Sequence, residues 1–132
     1  MRVIIADDEQ QVRSALRFIL EQEQSVEMVF EFDSLADMLD QMSDLCPDLL
    51  LFDWDMRLPV LNTALVQSMR RRCPLLRILA MSGRPESEAP ALRAGVDAYI
   101  SKGDPPEGLL QAVRKAVGGQ FCEVGKERPE TG

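Results

Sequence analysis

Hydrophobic positions in this chain follow two rhythms that take turns: short unbroken runs, and longer stretches where apolar residues return at helical spacing. Arg2 to Ala6 is the first run, and Val12, Ala15, Leu16, Ile19 and Leu20 then predict a helix through Glu23. Val26, Met28, Phe30 and Phe32 alternate with Glu27, Val29 and Glu31, the pattern of an edge strand with one face partly wet. Leu35, Met38, Leu39, Met42 and Leu45 mark a second helix, which Pro47 breaks. Asp48 to Asp53 is the most apolar strand, and Leu61, Leu65 and Met69 set a third helix that stops before Pro74. Leu76 to Met81 predicts strand four, Pro85 to Ala94 a short helix stopped by Gly95, and Asp97 to Ser101 strand five. Asp104 caps the final helix and Pro105 suits its first turn. Its apolar stripe is Leu109, Leu110, Val113, Ala116 and Val117, ending at Gly118 and Gly119.

Strands and helices that alternate in this way predict an α/β fold, a doubly wound parallel sheet, because parallel neighbours need crossover helices with right-handed connections. Central strands, covered on both faces, should read as continuous apolar runs. Strands one and three do and strand two does not, which fits the order 2-1-3-4-5, flavodoxin-like, with a ligand crevice between strands one and three. A chain of 132 residues fits one such (βα)5 domain and buries a core without disulfides or a structural metal. The domain is expected over residues 1–120. Residues 121–132, which end in the polar stretch from Gly125 to Gly132, are expected to form a disordered tail or linker.

Charge narrows the function classes. Lysine and arginine number 15 against 22 acids, a net charge of −7 that repels nucleic acid and anionic membrane. Direct nucleic-acid binding by this chain is therefore not expected, and a DNA-binding role would belong to a partner or another segment. The absence of histidine removes histidine metal ligands and any Ser-His or Cys-His nucleophile pair. Cys46, Cys73 and Cys122 are widely spaced, as suits reduced thiols serving as small core hydrophobes in a cytoplasmic protein. No stretch reads as a signal peptide or membrane span, so a soluble intracellular protein is expected.

Three carboxylates then stand out. Asp7 and Asp8 close strand one and Asp53 closes strand three, so in a parallel sheet they converge at one edge, where like charges repel unless a cation intervenes. Ser82 ends strand four and Lys102 follows strand five at the same edge. A divalent metal would suit: Mg2+ takes one or two carboxylates with phosphate oxygens and water, and Asp8, Asp53 and a backbone carbonyl just after Asp53 would supply protein ligands. Asp53 would then act as a nucleophile toward phosphorus, Lys102 would offset charge on the phosphoryl oxygens, and Ser82 would donate to one of them after moving toward the site.

The segments ADDEQQVR, DLLLFDWDM, LAMSGRPE and DAYISK, in this order and spacing, resemble the receiver domain of two-component response regulators over about residues 1–120. The resemblance implies Asp53 as the phosphoacceptor for a sensor histidine kinase or phosphotransfer protein. It implies Mg2+ held by Asp7, Asp8, Asp53 and the backbone carbonyl of Asp55, with Lys102 contacting phosphate. Ser82 would be the switch hydroxyl, and Tyr99 the aromatic whose rotamer follows the switch; a strand aromatic packing on helix four is the other reading of Tyr99. The output surface would be the face of helix four, strand five and helix five, with phosphate-dependent homodimerisation through it. Two positions depart from the family pattern. Arg57, Pro59, Asn62 and Thr63 replace the usual proline and glycine after the phosphosite, so that loop is expected to be longer or differently shaped. Gly103 follows Lys102 where a cis-proline is common, and glycine there can supply unusual dihedrals.

Bland readings accompany each feature. Asp7 and Asp8 alone suit a helix cap, Lys102 a solvated lysine, Ser82 a turn residue, and Arg70, Arg71 and Arg72 the cationic last turn of a helix. Trp54 is expected as a partly exposed ring beside the metal. Asp53-Trp54-Asp55 also resembles the nucleophile motif of haloacid-dehalogenase-type phosphatases, but there that motif stands on the first strand and the acid pair comes last. A signalling switch rather than a turnover enzyme is the expectation, acting on transcription through a separate DNA-binding domain or, alternatively, as a stand-alone receiver working by protein contacts. A degenerate receiver serving only as an interaction module is a third reading, set against five intact polar site positions.

Overall fold

A computed structural model describes residues 1–56 and 62–117. Its strands are β1 (Arg2–Ala6), β2 (Met28–Phe32), β3 (Leu49–Asp53), β4 (Arg77–Ser82) and β5 (Ala98–Ser101). Its helices are α1 (Gln10–Leu20), α2 (Leu35–Leu45), α3 (Asn62–Arg72), α4 (Glu88–Ala94) and α5 (Pro106–Val117). All strand pairs are parallel and the sheet order is β2-β1-β3-β4-β5, as the apolar runs predict.

Side-chain alternation sends the sheet's apolar residues to two cores. Ile4, Ala6, Leu50, Phe52, Ile78 and Ala80 pack against α2, α3 and α4, while Val3, Ile5, Leu49, Leu51, Leu79 and Met81 pack against α1 and α5. Every residue of β3 is buried, because its strand is covered on both faces. Each fully buried leucine of this kind contributes about 1.5–3 kcal/mol relative to exposure. The edge strand β2 is only partly buried, and its Glu31 accepts from Arg13 and Arg17 of α1 at 3.2 and 2.5 Å. That pairing explains the wet face and fastens α1 to the sheet edge.

Several local expectations need correction. The helix expected from Pro85 to Ala94 is two pieces: a 3-10 turn at Pro85–Ser87 and then α4, whose first turn holds Pro90, where a missing N–H costs nothing. Helix α1 ends at Leu20, and α5 opens at Pro106, one residue beyond the expected start. Cys46 is not a core hydrophobe, being exposed at the α2 C-cap with φ 48°, whereas Cys73 is half-buried and packs against the core. Arg70 does more than face a helix dipole. Its guanidinium donates to the carbonyls of Leu76 and Gly95 at 3.0 and 2.7 Å and to Asp97 Oδ2 at 3.0 Å, tying α3 to the end of α4 and the start of β5. Gly103 needs no special dihedral, since Gly95 and Cys46 are the positive-φ positions among the described residues. The loop holding Arg57 and Pro59, the Gly118-Gly119 pair, Cys122 and the expected tail lie outside the described residues.

Candidate functional site

Parallel strands deliver all their C-terminal ends to one edge, and the register aligns them. Ala6 pairs with Phe52, Asp53 with Met81, and Ser82 with Ser101. The next residues continue the ladder: Asp7 N–H bonds the Phe32 carbonyl at 3.0 Å, Trp54 N–H that of Met81 at 2.7 Å, and Lys102 N–H that of Ser82 at 2.9 Å. Backbone pairing therefore places Asp7, Asp53, Ser82 and Lys102 side by side before any side chain makes a contact.

Asp7 is fully buried, Asp53 is 4% exposed and Asp8 is exposed, and oxygens of all three lie within 4.8 Å of one another. Lys102 Nζ is 2.8 Å from Asp7 Oδ2, 3.3 Å from Asp53 Oδ2 and 3.8 Å from Glu9 Oε1. Other oxygens are claimed by the backbone: Asp7 Oδ1 accepts from Glu9 N–H and Asp53 Oδ1 from Asp55 N–H, both at 2.9 Å. Burial pushes the Asp53 carboxyl above its usual pKa of 3.8; the Asp55 N–H and Lys102 oppose this, and Asp7 adds to it. For Lys102, burial pulls the ammonium down, but the contact with Asp7 and the charge of Asp53 outweigh it, and the net shift is upward from 10.5.

Charge and geometry together test whether a divalent cation fits. Three clustered carboxylates face one nearby ammonium, so negative charge is in excess. Asp7 Oδ2 is buried and pairs with the Lys102 ammonium at 2.8 Å, with no directed hydrogen bond to it among the described residues. A buried carboxylate oxygen with lone-pair capacity to spare, beside two further acids, is a donor set for a hard cation such as Mg2+. Asp7 is the deeply buried acid and Asp8 the solvent-facing one, which divides the pair by position.

Ser82, expected as a turn residue or a switch, is the fully buried last residue of β4. Its Oγ donates to Asp55 Oδ2 at 2.8 Å and accepts from Arg84 N–H at 3.0 Å. Tyr99 lies half-buried on β5, packs against the core under α4, and donates from its hydroxyl to the Arg84 carbonyl at 2.8 Å and more weakly to that of Ser82 at 3.3 Å. This placement fits the packing reading of Tyr99. Trp54 is partly exposed next to Asp53, and it also packs on the core, its ring 5.9 Å from that of Phe52 and tilted by 55°. Sequence reasoning missed the Asp55 side chain, for which only a backbone carbonyl was anticipated, and Glu9 near Lys102. The signal for Asp55 was present in the Asp-Trp-Asp spacing, which places a second acid two residues beyond the strand end. A cleft of about 300 Å³ opens beside Lys102, walled by Val12, Ala15, Leu16, Ile19, Pro105 and Leu109.

Residues 3–114 match the model of the response regulator receiver domain. The chain belongs to that family. The receiver is 31% identical over 126 residues to the uncharacterized transcriptional regulatory protein YhcZ of Bacillus subtilis, an alignment spanning 92% of this chain and 56% of that one. It is 29% identical over 122 residues to the phosphate regulon transcriptional regulatory protein PhoB of Escherichia coli, spanning 88% of this chain and 51% of PhoB. The isolated REC domain of RcsB from Salmonella enterica serovar Typhimurium, solved with a beryllium fluoride phosphomimetic, superposes with a TM-score of 0.80 at 26% identity over 90% of this chain and 89% of that one. The receiver thus spans about half the length of the curated transcriptional regulators it matches. The family resemblance drawn from the four motifs, the sheet order and the role as a signalling receiver all stand. The phosphatase likeness finds no support in the sheet, where the acid pair ends β1 and the Asp-Trp-Asp motif ends β3.

Proposed function

We propose that this receiver is a phosphorylation-dependent switch in which Asp53 accepts a phosphoryl group from the phosphohistidine of a sensor histidine kinase or phosphotransfer protein. The convergence of a buried Asp53 with Asp7, Asp8 and Lys102 carries the reading. Asp7, Asp8, Asp53 and the backbone carbonyl of Asp55 would hold Mg2+, which when bound neutralises charge on phosphoryl oxygens and on the acids. An Asp53 carboxylate oxygen attacks phosphorus; the bond from phosphorus to the donor nitrogen breaks, that nitrogen keeps the electron pair, and an acyl phosphate forms. Lys102, already 3.3 Å from Asp53, holds positive charge against the phosphoryl oxygens. Ser82 supplies a hydroxyl that reports the phosphate, and Tyr99, joined to it through Arg84, carries the report to β5.

The output face is that of α4, β5 and α5, where a shallow cavity is lined by Tyr99, Ile100, Gln111 and Lys115, and a homodimer forming there on phosphorylation is part of this reading. The receiver unit spans residues 1–120, with 121–132 as a tail or linker. Regulation of transcription through a DNA-binding domain, in the same polypeptide or separate, fits the relatives, which are named transcriptional regulators. No described helix is long and apolar enough to cross a membrane, and an intracellular kinase as donor gives a cytoplasmic setting.

Trp54 is the single tryptophan and adjoins Asp53, so its fluorescence should change on adding Mg2+ and again on adding acetyl phosphate. Asp53→Asn should abolish the second change. A wild-type chain that shows neither response removes the basis of the phosphoacceptor assignment.

A further inference from the structure

Ser82 has one hydroxyl proton and therefore one hydrogen bond to donate. Its Oγ, fully buried at the end of β4, gives that bond to Asp55 Oδ2 at 2.8 Å. Asp55 is itself exposed, on the turn that leaves Asp53, and from there its carboxylate accepts the Ser82 hydroxyl. A hydroxyl donating to a carboxylate makes a charge-assisted bond, stronger than one between neutral groups. The Arg84 N–H closes the arrangement by donating to the same Oγ at 3.0 Å, and the Arg84 carbonyl receives the Tyr99 hydroxyl at 2.8 Å. A continuous chain of hydrogen bonds thus runs from Asp55 through Ser82 and Arg84 to β5.

We infer that the Asp55 side chain is an autoinhibitory latch: its carboxylate holds the Ser82 hydroxyl, and a phosphoryl group on Asp53 must win that hydroxyl from it before the switch turns. The inference rests on Asp53 being the phosphoacceptor and adds a positioning residue that acts through Ser82. The two arrangements compete, because the single hydroxyl proton makes one short, directed bond at a time. While Asp55 holds the hydroxyl, only a fraction of molecules is ready to bind a phosphoryl group fully, and apparent affinity falls by that fraction. Departure of Ser82 Oγ also takes away the partner of the Arg84 N–H, which loosens the residue whose carbonyl anchors Tyr99.

Beryllium fluoride, a phosphate mimic, titrated into the full chain in saturating Mg2+ and followed by Trp54 fluorescence, tests the latch in a double-mutant cycle. Asp55→Ala should lower the midpoint by about tenfold, the scale set by a hydrogen bond to a charged group. The same substitution in a Ser82→Ala background should leave the midpoint within about twofold, because the latch acts only through that hydroxyl. Asp55→Asn, which keeps the size and an uncharged acceptor, should fall between. An equal lowering in both backgrounds would show that Asp55 merely repels the anion by charge, and no lowering in either would show that it holds nothing; each overturns the latch. A wild-type chain that ignores beryllium fluoride, or an Asp53→Asn variant that responds equally well, instead overturns the phosphoacceptor reading on which the latch stands.

Discussion

Asp53 gathers the physical tension of the site into one residue. It ends the most buried strand, keeps 4% of its surface exposed, and lies beside Asp7 with Lys102 between them. Burial above all lifts its pKa over the usual 3.8, so the folded chain holds the proton more tightly than the unfolded chain does. The penalty for ionising Asp53 is absent below the unfolded value, grows as pH rises, and is complete above the folded value. Asp53→Asn should therefore raise the stability of the chelator-treated chain at neutral pH by on the order of 1 kcal/mol, because a neutral amide avoids burying the charge. Acidification through the carboxylate range should erase the gain. Thermal unfolding of both proteins across that range checks this, and a variant no more stable than wild type at neutral pH contradicts it.

At the scale of elements, Cys46 shows how local chemistry and fold can disagree. Helix α2 begins well, with Ser34 Oγ accepting from Asp37 N–H at 3.3 Å, but it ends on a cysteine held at φ 48° and ψ 59°. A side chain in the left-handed region costs about 1–2 kcal/mol, and glycine avoids that cost. Cys46→Gly should stabilise the fold by about 1 kcal/mol in urea unfolding; a loss of stability would show that the thiol contact with the Ser43 carbonyl, at 3.2 Å, matters more than the strain. Strands were legible in the sequence because β1 and β3 are covered on both faces and so read as unbroken apolar runs. Helix ends were legible where a breaker stands, as at Pro47 after α2 and Gly95 after α4, and not where they depend on the wider fold, as at the end of α1. Nothing in the local sequence shows that Pro85 starts a separate 3-10 turn, or that Arg70 leaves its own helix to hold Gly95 and Asp97.

Across the whole molecule, the parallel order β2-β1-β3-β4-β5 does most of the functional work, since it turns residues spread from position 7 to position 102 into one edge. That convergence was legible once the strands were, because the site is made of strand ends. What the sequence did not yield is which contacts those ends make at rest. Asp55 holding Ser82, Tyr99 bound to the Arg84 carbonyl and Trp54 packed on Phe52 are set by side-chain geometry; the Asp-Trp-Asp spacing announces the second acid but not its contact. On the proposed function, Asp53 takes a phosphoryl group with a divalent cation bound beside it. Incubation with acetyl phosphate and Mg2+, followed by intact-mass measurement, tests it most directly. Wild type should gain one phosphoryl group that hydroxylamine removes, as it does from an acyl phosphate, and neither Asp53→Asn nor chelator-treated wild type should gain it. Labelling of Asp53→Asn at the wild-type level, or an unlabelled wild type, would contradict the account.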